Sequence, residues 1–252
     1  MTLSRREVRE LLARHQIHPS RARGQNFVVD PNTVRRVARL AGVGAGDRVV
    51  EVGAGLGSLT LALAETGASV LAIEVDPRLV PLLRQVVAGE VVEPAGVTVM
   101  EADAMGLDWA AVLGAGPWVL VANLPYNIGT PLVADLLDGV PAVQRMLVMV
   151  QREVGERMVA SPGSGAYGAL SVKVAYWATA RLAGRVGPTV FYPPPKVDSV
   201  LVALERRDSP AVGPDVDPAW LFQLVGAGFG HRRKMLRRAL EGLVTSDDFA
   251  AA

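Results

Sequence analysis

Three acidic residues are spaced so that they could bind one ligand together. Glu51 lies near the end of the apolar run VVEV, Glu74 closes LAIE, and Asp103 follows VTVMEA. If these runs are parallel strands of an open α/β sheet, their carboxyl ends share one edge, which is where such sheets bind ligands. A carboxylate accepts hydrogen bonds from a ribose diol, an ammonium group or a purine amino group. The three acids therefore predict a site for a ligand that carries such donors.

A glycine-rich turn follows the first of these acids, in EVGAGLG at residues 51–57. Glycine lets the backbone turn tightly and approach a ligand closely. The spacing here is G-x-G-x-G, whereas dinucleotide-binding turns have G-x-G-x-x-G and hold a pyrophosphate beside the turn. An ionised Glu51 would repel pyrophosphate, but it would tolerate or attract the ammonium and sulfonium groups of S-adenosylmethionine. The pattern favours S-adenosylmethionine, with Glu74 at its ribose and Asp103 at its adenine, and a dinucleotide oxidoreductase is the weaker alternative.

The apolar run 118–122 ends in Asn123-Leu124-Pro125-Tyr126, an unusual end for a buried strand. An adenine amine is a poor nucleophile because its lone pair is delocalised into the ring. The side-chain oxygen of Asn123 and the carbonyl of Leu124 could accept hydrogen bonds from its two N–H groups. The lone pair would then point at a methyl group. Pro125 restrains that backbone, and Tyr126 offers a ring for stacking. Without the acids, the same four residues would rather indicate a proline turn after a strand.

Several segments occur together in the order found in ribosomal RNA adenine N6,N6-dimethyltransferases. They are GQNFVVD at 24–30, EVGAGLG at 51–57, Glu74, DA at 103–104, NLPYN at 123–127, FYPPPKVDS at 191–199 and FGHRRKMLRR at 229–238. The chain resembles this family over nearly its whole length, and specifically the small-subunit dimethyladenosine transferases. The resemblance implies S-adenosylmethionine as donor, two adjacent adenines near the 3′ end of small-subunit (16S) rRNA as targets, and a role in late small-subunit maturation. A resistance-type adenine methylase of large-subunit rRNA and a non-catalytic RNA-binding assembly factor stay open as alternatives.

The resemblance also implies roles for individual residues. Those implied to contact the cofactor are Gln25, Asn26, Val28, Glu51, Gly53, Gly55, Glu74, Asp103, Ala104 and Asn123. Those implied to hold the target adenine are Asn123, Leu124, Pro125, Tyr126 and Phe191. Phe191 precedes three prolines and is expected to stack on the face of the base opposite Tyr126. From the residues alone, a ring that fills the core is an equal alternative for Phe191.

RNA contact must come from local patches, because the net charge of the 252-residue chain is only +1. Arginines crowd the first 23 residues, and a second basic cluster lies near the end. The residues predicted to bind RNA phosphates are Arg232, Arg233, Lys234, Arg237, Arg238 and, in the proline-rich loop, Lys196. The alternative is that these basic residues form a surface that contacts only solvent. If the prediction is right, binding weakens steeply with salt.

Composition excludes several other functions. There are no cysteines and only three scattered histidines, so neither a disulfide framework nor a metal centre is expected. No apolar run is long enough to span a bilayer, and the charged N-terminus has no apolar signal core. These features predict a cytoplasmic protein, which we expect to be monomeric and without membrane contact.

Alternating apolar runs and helical stretches predict the fold. Strands are predicted at Arg48–Val52, Ser69–Val75, Val97–Ala102, Trp118–Ala122 and Arg145–Val150, and helices at Pro31–Ala41, Leu59–Thr66, Pro77–Ala88 and Pro131–Leu137. An apolar stretch around Leu170–Ala180 follows, and then two strands within residues 186–205. We predict an α/β fold: a doubly wound, mostly parallel Rossmann-like methyltransferase sheet in residues 1–208. A small helical domain is predicted for residues 209–252, and an incomplete form of this domain stays open as an alternative.

Overall fold

A computed structural model describes residues 2–20, 23–90, 96–213, 215–230, 235–245 and 249. The strands are β1 (Phe27–Val28), β2 (Arg48–Val52), β3 (Ser69–Glu74), β4 (Val97–Glu101), β5 (Trp118–Asn123), β6 (Val143–Gln151), β7 (Ala178–Val186), β8 (Phe191–Tyr192) and β9 (Ser199–Arg206). The helices are α1 (Arg5–Arg14), α2 (Pro31–Ala41), α3 (Ser58–Ala64), α4 (Val80–Glu90), α5 (Trp109–Leu113), α6 (Gly129–Gly139), α7 (Arg152–Met158), α8 (Ala169–Trp177), α9 (Pro218–Gly230) and α10 (Leu236–Ala239).

The central sheet has the strand order β4-β3-β2-β5-β6-β9-β7. Strands β4, β3, β2, β5 and β6 are parallel, and β9 runs antiparallel to both β6 and β7. The chain builds outward from β2 to β4 and then returns to place β5 on the other side of β2. This change of direction opens a crevice at the carboxyl ends of β2 and β5, where doubly wound folds bind ligands. The predicted doubly wound, mostly parallel sheet is confirmed.

Helix α2 shows how local sequence signals set an element beside the sheet. The Asp30 side chain caps its start by accepting a hydrogen bond from the N–H of Thr33 (2.9 Å), and Pro31 occupies the first turn. Gly42, in the left-handed conformation, ends the helix. The face that carries Val34 and Val37 is buried against β5 and β6. The helix therefore covers one face of the sheet, as its apolar spacing predicts.

The chain between β6 and β9 differs from the prediction. The apolar stretch around Leu170–Ala180 divides into α8 and the long strand β7. The first of the two strands expected within 186–205 is replaced by the end of β7, a 3-10 turn at Pro188–Val190 and the short strand β8. Strand β8 pairs with β1 and not with the central sheet. Helix α5 was not predicted either; it is only five residues long, and the Asp108 side chain caps it.

The region after residue 209 packs on α8. The ring of Phe222 in α9 lies 5.2 Å from that of Tyr176, and Phe229 lies 5.9 Å from Tyr167. None of the described residues of α9 is fully buried. The division into domains at residue 209 stays a prediction.

Two further observations concern the described residues as a whole. In that part of the chain, no helix combines the length and the apolar character that crossing a membrane requires. Within the same residues, His, Asp and Glu side chains form no group of three or more that could hold a metal ion.

Candidate active site

An open cleft lies at the carboxyl ends of β2, β3, β4 and β5. The empty space within it, which includes open solvent, is about 840 Å³. All the residues implied to contact the cofactor line it: Gln25, Asn26, Val28, Glu51, Gly53, Gly55, Glu74, Asp103, Ala104 and Asn123. Pro125 lines it as well. The fold thus brings together residues that are up to 105 positions apart in the chain, from Arg23 to Ile128.

Several N–H groups of the glycine turn after β2 donate hydrogen bonds within the protein. Those of Gly53 and Ala54 donate to the carbonyl of Ile73, at 2.9 and 3.1 Å. The N–H of Gly55 donates to the Glu74 carboxylate at 2.8 Å. Dinucleotide-binding turns present such groups to a pyrophosphate. Because these three N–H groups are already bonded within the protein, they are not available for that role.

Glu74 is held in place at the end of β3. Its side chain is only 5% exposed, and it also accepts a hydrogen bond from the N–H of Asp76 (2.9 Å). A carboxylate offers about four acceptor positions, so it can still accept bonds from a diol. Burial raises the pKa of Glu74, and the two backbone donors oppose that rise. Asp103, at the next strand end, is exposed and accepts a hydrogen bond from the N–H of Met105 (3.0 Å).

Glu51 requires a correction. Its side chain is 2% exposed, and the Thr60 hydroxyl donates a hydrogen bond to it at 2.5 Å. Burial raises the pKa of Glu51 to about 8, against the lowering effect of that hydrogen bond. The carboxyl group is therefore mostly protonated at neutral pH without ligand. The expectation that an ionised Glu51 repels pyrophosphate is wrong, because it treated the residue as solvated.

The protonation of Glu51 predicts how stability depends on pH. Between the ordinary pKa of 4.5 and the folded value of about 8, the folded protein keeps a proton that the unfolded chain releases. Stability without cofactor should therefore fall as pH rises through this window. Glu51→Gln removes this contribution, so its melting temperature should vary less with pH than that of the wild type. Calorimetry from pH 5 to pH 8.5 at constant ionic strength measures both profiles, and parallel profiles would contradict the assignment.

The orientation of the Asn123 amide is set by the N-terminal segment. Its Nδ2 donates to the carbonyl of Asn26 at 3.0 Å. Among the residues that the structure describes, none donates a hydrogen bond to Asn123 Oδ1, so this oxygen is available as an acceptor. The N–H of Leu124 donates to the carbonyl of Met149 (3.1 Å), which holds the next peptide in place. This arrangement suits the predicted role of Asn123 as an acceptor for an amino group.

The Asn123–Tyr126 loop touches the cofactor turn. A Cβ atom built on Gly53, whose φ is +75°, would lie 3.3 Å from Pro125 Cδ. The two loops are therefore in close contact at this glycine, and a side chain there would force them apart. Pro125 brings the predicted target-base side of the site against the predicted cofactor side.

Tyr126 is anchored by a residue that the sequence argument did not single out. Its hydroxyl lies 3.1 Å from the hydroxyl of Ser199, which is completely buried at the start of β9. Burial raises the pKa of Tyr126, and the hydrogen bond to Ser199 opposes the rise. The tether fixes the far end of a half-buried ring. Ser199 appeared only as the last residue of FYPPPKVDS, and no local pattern marks it as a partner of Tyr126.

The Tyr126–Ser199 tether can be tested with a double-mutant cycle. We expect Tyr126→Phe and Ser199→Ala each to lower kcat/KM for the RNA about three- to tenfold, the loss expected for one hydrogen bond. The double variant should be no worse than the poorer single variant, because both changes remove the same interaction. Effects that multiply in the double variant would mean that the two hydroxyls act separately.

The expectation that Phe191 stacks on the target base is wrong. Its side chain is 1% exposed and belongs to the core layer that contains Val28 and Val186. The cause is the pairing of β8 with β1, which sets Phe191 opposite Val28. The alternative of a ring that fills the core is the correct one.

Of the basic residues predicted to bind RNA, Lys196, Arg237 and Arg238 are exposed at the surface. Arg232, Arg233 and Lys234 lie outside the described residues. The structure does not bring these basic residues into the cleft, since none of those described lines it.

The side chains around the cleft suit S-adenosylmethionine. The described lining holds three carboxyl groups, from Glu51, Glu74 and Asp103, and one cationic side chain, Arg23. The Arg23 guanidinium is paired with Asp76 at 3.2 Å. No unpaired cation thus remains among the described lining residues for a pyrophosphate, whereas the acceptors match a ligand with an ammonium group, a sulfonium and a ribose diol.

Comparison with known proteins gives the same result. A sequence model of the ribosomal RNA adenine dimethylase family matches residues 17–252. Ribosomal RNA small subunit methyltransferase A from Kineococcus radiotolerans is 49% identical over 240 residues, which cover 95% of this chain and 79% of that protein. A dimethyladenosine transferase from Plasmodium falciparum has a TM-score of 0.71 at 28% identity, over 85% of this chain and 74% of that one.

The 23S rRNA methyltransferase ErmE has a TM-score of 0.65 at 27% identity, over 90% of this chain and 88% of that one. Both solved structures are thus similar to this chain over most of its length. The match to the family covers almost the whole chain, including every described residue of the cleft. The chain therefore belongs to the ribosomal RNA adenine dimethylase family, and it is an enzyme that methylates adenine in ribosomal RNA with S-adenosylmethionine as donor.

Proposed function

We propose that this enzyme converts two adjacent adenines near the 3′ end of small-subunit rRNA to N6,N6-dimethyladenine. The observation that carries the proposal is the Asn123 amide, whose nitrogen is bonded to Asn26 and whose oxygen is left available beside the cofactor cleft. The choice of the small subunit is supported by 49% identity to a small subunit methyltransferase, compared with 27% to ErmE.

The residues of the acceptor side would act mainly by positioning. In the first transfer, Asn123 Oδ1 and the carbonyl of Leu124 accept hydrogen bonds from the two N–H groups of N6, while Tyr126 stacks on the base. In the second transfer N6 carries one hydrogen, and one of the two oxygens accepts a hydrogen bond from it. When bound, S-adenosylmethionine supplies a methyl group on a sulfonium, whose bond to sulfur breaks as the bond to N6 forms. The two acceptors stabilise the positive charge that builds on nitrogen. One N6 proton is then lost to solvent, so no side chain has to act as general base.

The donor side would hold the cofactor through its carboxyl groups. Glu74 accepts hydrogen bonds from the ribose diol, and Asp103 accepts one from the adenine amino group. Glu51 lies at the turn that holds the methionine part, where a bound ammonium group would favour its ionised form.

The proposal extends to the partner and the setting. We propose that the enzyme acts as a monomer on the immature small subunit in the cytoplasm, where its rRNA is assembled. Residues 209–252 would form a helical domain that contacts rRNA, separate from the methyltransferase domain of residues 1–208. The exposed Arg237 and Arg238 support such a contact.

A methylation assay tests the proposed target. Small subunits from a strain that lacks this modification, and large subunits in parallel, are incubated with the protein and labelled S-adenosylmethionine, and the product is mapped. Label in two adjacent adenines near the 3′ end of the small-subunit rRNA is the expected result. Label only in the large subunit would favour a resistance-type methylase, and no label in any rRNA would contradict the proposal.

The contribution of Arg237 and Arg238 appears in the salt dependence of RNA binding. Replacing either with alanine should reduce the slope of log K against log salt by about 0.7–0.9, the value for one lost phosphate contact. Arg157→Ala is the control, since Arg157 is exposed but already paired with Glu153. An unchanged slope in both alanine variants would assign these arginines to a solvated face.

A further inference from the structure

Residues 23–28 form a strap along the edge of the cofactor cleft, and every one of them lines it. The strap touches both sides of the site. On the cofactor side, a Cβ on Gly55 would lie 3.0 Å from the Phe27 ring. On the other side, Gly24 has a φ of +64°, and a Cβ there would lie 3.2 Å from Pro125 Cβ. The strap is therefore wedged between the glycine turn and the Asn123–Tyr126 loop.

One buried carboxylate, Asp76, joins the strap to the end of β3. Asp76 is 0% exposed. Its Oδ2 accepts a hydrogen bond from Gln25 Nε2 at 2.9 Å and lies 3.2 Å from the guanidinium of Arg23. Its own N–H donates to the carboxylate of Glu74. Asp76 thus contacts the strap through its side chain and the predicted ribose-binding acid through its backbone.

A second cation, Arg78, binds the same carboxylate, and among the described residues its hydrogen bonds and ion pair go to Asp76 and not to the strap. Its Nε and Nη2 donate to the two oxygens of Asp76, at 3.0 and 2.7 Å. The hydrogen bonds from Arg78, with those from Gln25 and the charge of Arg23, hold the pKa of Asp76 well below its usual range despite the effect of burial. The carboxylate is therefore charged at neutral pH, and its bonds to the strap are charge-assisted and strong.

Gln25 uses both ends of its amide inside the protein. Its Oε1 accepts a hydrogen bond from the N–H of Ser20 at 2.7 Å, while its Nε2 donates to Asp76. An amide bonded at both ends is suited to holding the chain in place. The Gln25 amide is therefore engaged within the protein, and its implied contact with the cofactor stays a prediction.

We propose that Asp76 is a positioning residue, which holds the strap through Gln25 and Arg23 and thereby orients the amide of Asn123. The next strap residue after Gln25 is Asn26, whose carbonyl accepts the hydrogen bond from Asn123 Nδ2. Only one peptide bond separates the tethered residue from the one that orients Asn123. Losing the tether should weaken S-adenosylmethionine binding and slow methyl transfer. The inference uses the cofactor site of this family but does not depend on which rRNA is the target.

A matched pair of variants separates this role from general support of the loop. Gln25→Ala removes the hydrogen bond from the strap to Asp76 and leaves only the ion pair of Arg23, whereas Arg78→Ala removes two side-chain bonds to the same carboxylate and leaves both strap contacts in place. We expect Gln25→Ala to weaken S-adenosylmethionine binding about tenfold or more, the effect of one hydrogen bond to a charged group. Arg78→Ala should change the affinity less than about threefold. Calorimetric titration measures both in the absence of RNA.

Hydrogen exchange without cofactor provides a second measurement. Gln25→Ala should speed exchange of the amides of residues 23–28 while leaving those of β2 and β3 unchanged. A second pair, Arg23→Ala and Arg23→Lys, covers the case in which Gln25→Ala does not fold. Lysine keeps the charge next to Asp76, so it should restore much of the affinity that alanine loses.

Two results would overturn the proposal. One is equal loss of affinity in Gln25→Ala and Arg78→Ala, which would make Asp76 a support of its own turn only. The other is that both Arg23 variants bind S-adenosylmethionine weakly while hydrogen exchange of the amides of residues 23–28 is unchanged. Because both measurements omit RNA, their outcome is independent of whether the small subunit is the target.

Discussion

Asn123→Ala is expected to lower kcat for methyl transfer about 10²–10³-fold, the usual loss when one group that stabilises a transition-state charge is removed. Asn123 Oδ1 accepts a hydrogen bond from an N–H group of the target amine, and this hydrogen bond strengthens as the nitrogen becomes positive. Affinity for S-adenosylmethionine should change less than about threefold, since the carboxyl groups that hold the cofactor lie on other strands. Single-turnover kinetics with rRNA and calorimetry without it measure the two effects separately.

Asn127→Ala is the matched control for this prediction, because Asn127 is an exposed amide in the same loop. Asn123→Asp provides a further comparison. An ionised aspartate keeps an acceptor oxygen but has no N–H to donate to the carbonyl of Asn26, so its acceptor should be poorly oriented and transfer should be slow. Near-normal transfer by Asn123→Ala would show that this amide does not polarise the amine.

Glu74→Ala is expected to weaken S-adenosylmethionine binding about 100-fold or more, because two hydrogen bonds from ribose hydroxyls to a charged acceptor are lost together. The N–H groups of Gly55 and Asp76 would also lose their acceptor, which loosens the turn that faces the cofactor. Calorimetric titration of the protein alone gives the affinity, and thermal unfolding shows whether the fold survives.

Glu101→Ala is the control for Glu74. Glu101 pairs with Glu74 in the register of β3 and β4, but its side chain is exposed and does not line the cleft. It should leave the affinity unchanged. If Glu74→Ala binds S-adenosylmethionine as tightly as Glu101→Ala does, Glu74 is not part of the cofactor site.

Much of the central sheet could be predicted from local pattern. Parallel strands buried on both faces are continuous apolar runs, as in Val119–Ala122, so their positions are visible in the sequence. The acids that follow such runs could be assigned to one edge for the same reason. The region of β7 and β8 was harder, because β8 is two residues long and exists through its pairing with β1, across more than 160 positions of chain.

Within the site, the residue types could be predicted from the sequence, but their orientation, protonation and burial could not. The amide of Asn123 was identified from its place after an apolar run, but its orientation depends on the carbonyl of Asn26, which is 97 residues away. The pKa of Glu51 depends on complete burial, which no local pattern reveals. Phe191 shows the same limit, since an aromatic residue before prolines is equally compatible with a stacking surface and with the core.

The sequence by itself thus determined the parallel sheet and the carboxyl groups at its edge, because strand periodicity and side-chain chemistry are local properties. The choice of S-adenosylmethionine and of adenine as acceptor rests on the resemblance of the motifs to a known family, since the argument from an ionised Glu51 was wrong. Only the tertiary structure decided that Glu51 is neutral, that Phe191 is buried, that Ser199 tethers Tyr126 and that Asp76 holds the strap. Each of these depends on burial or on a hydrogen bond between distant segments, and such contacts exist only once the chain has folded.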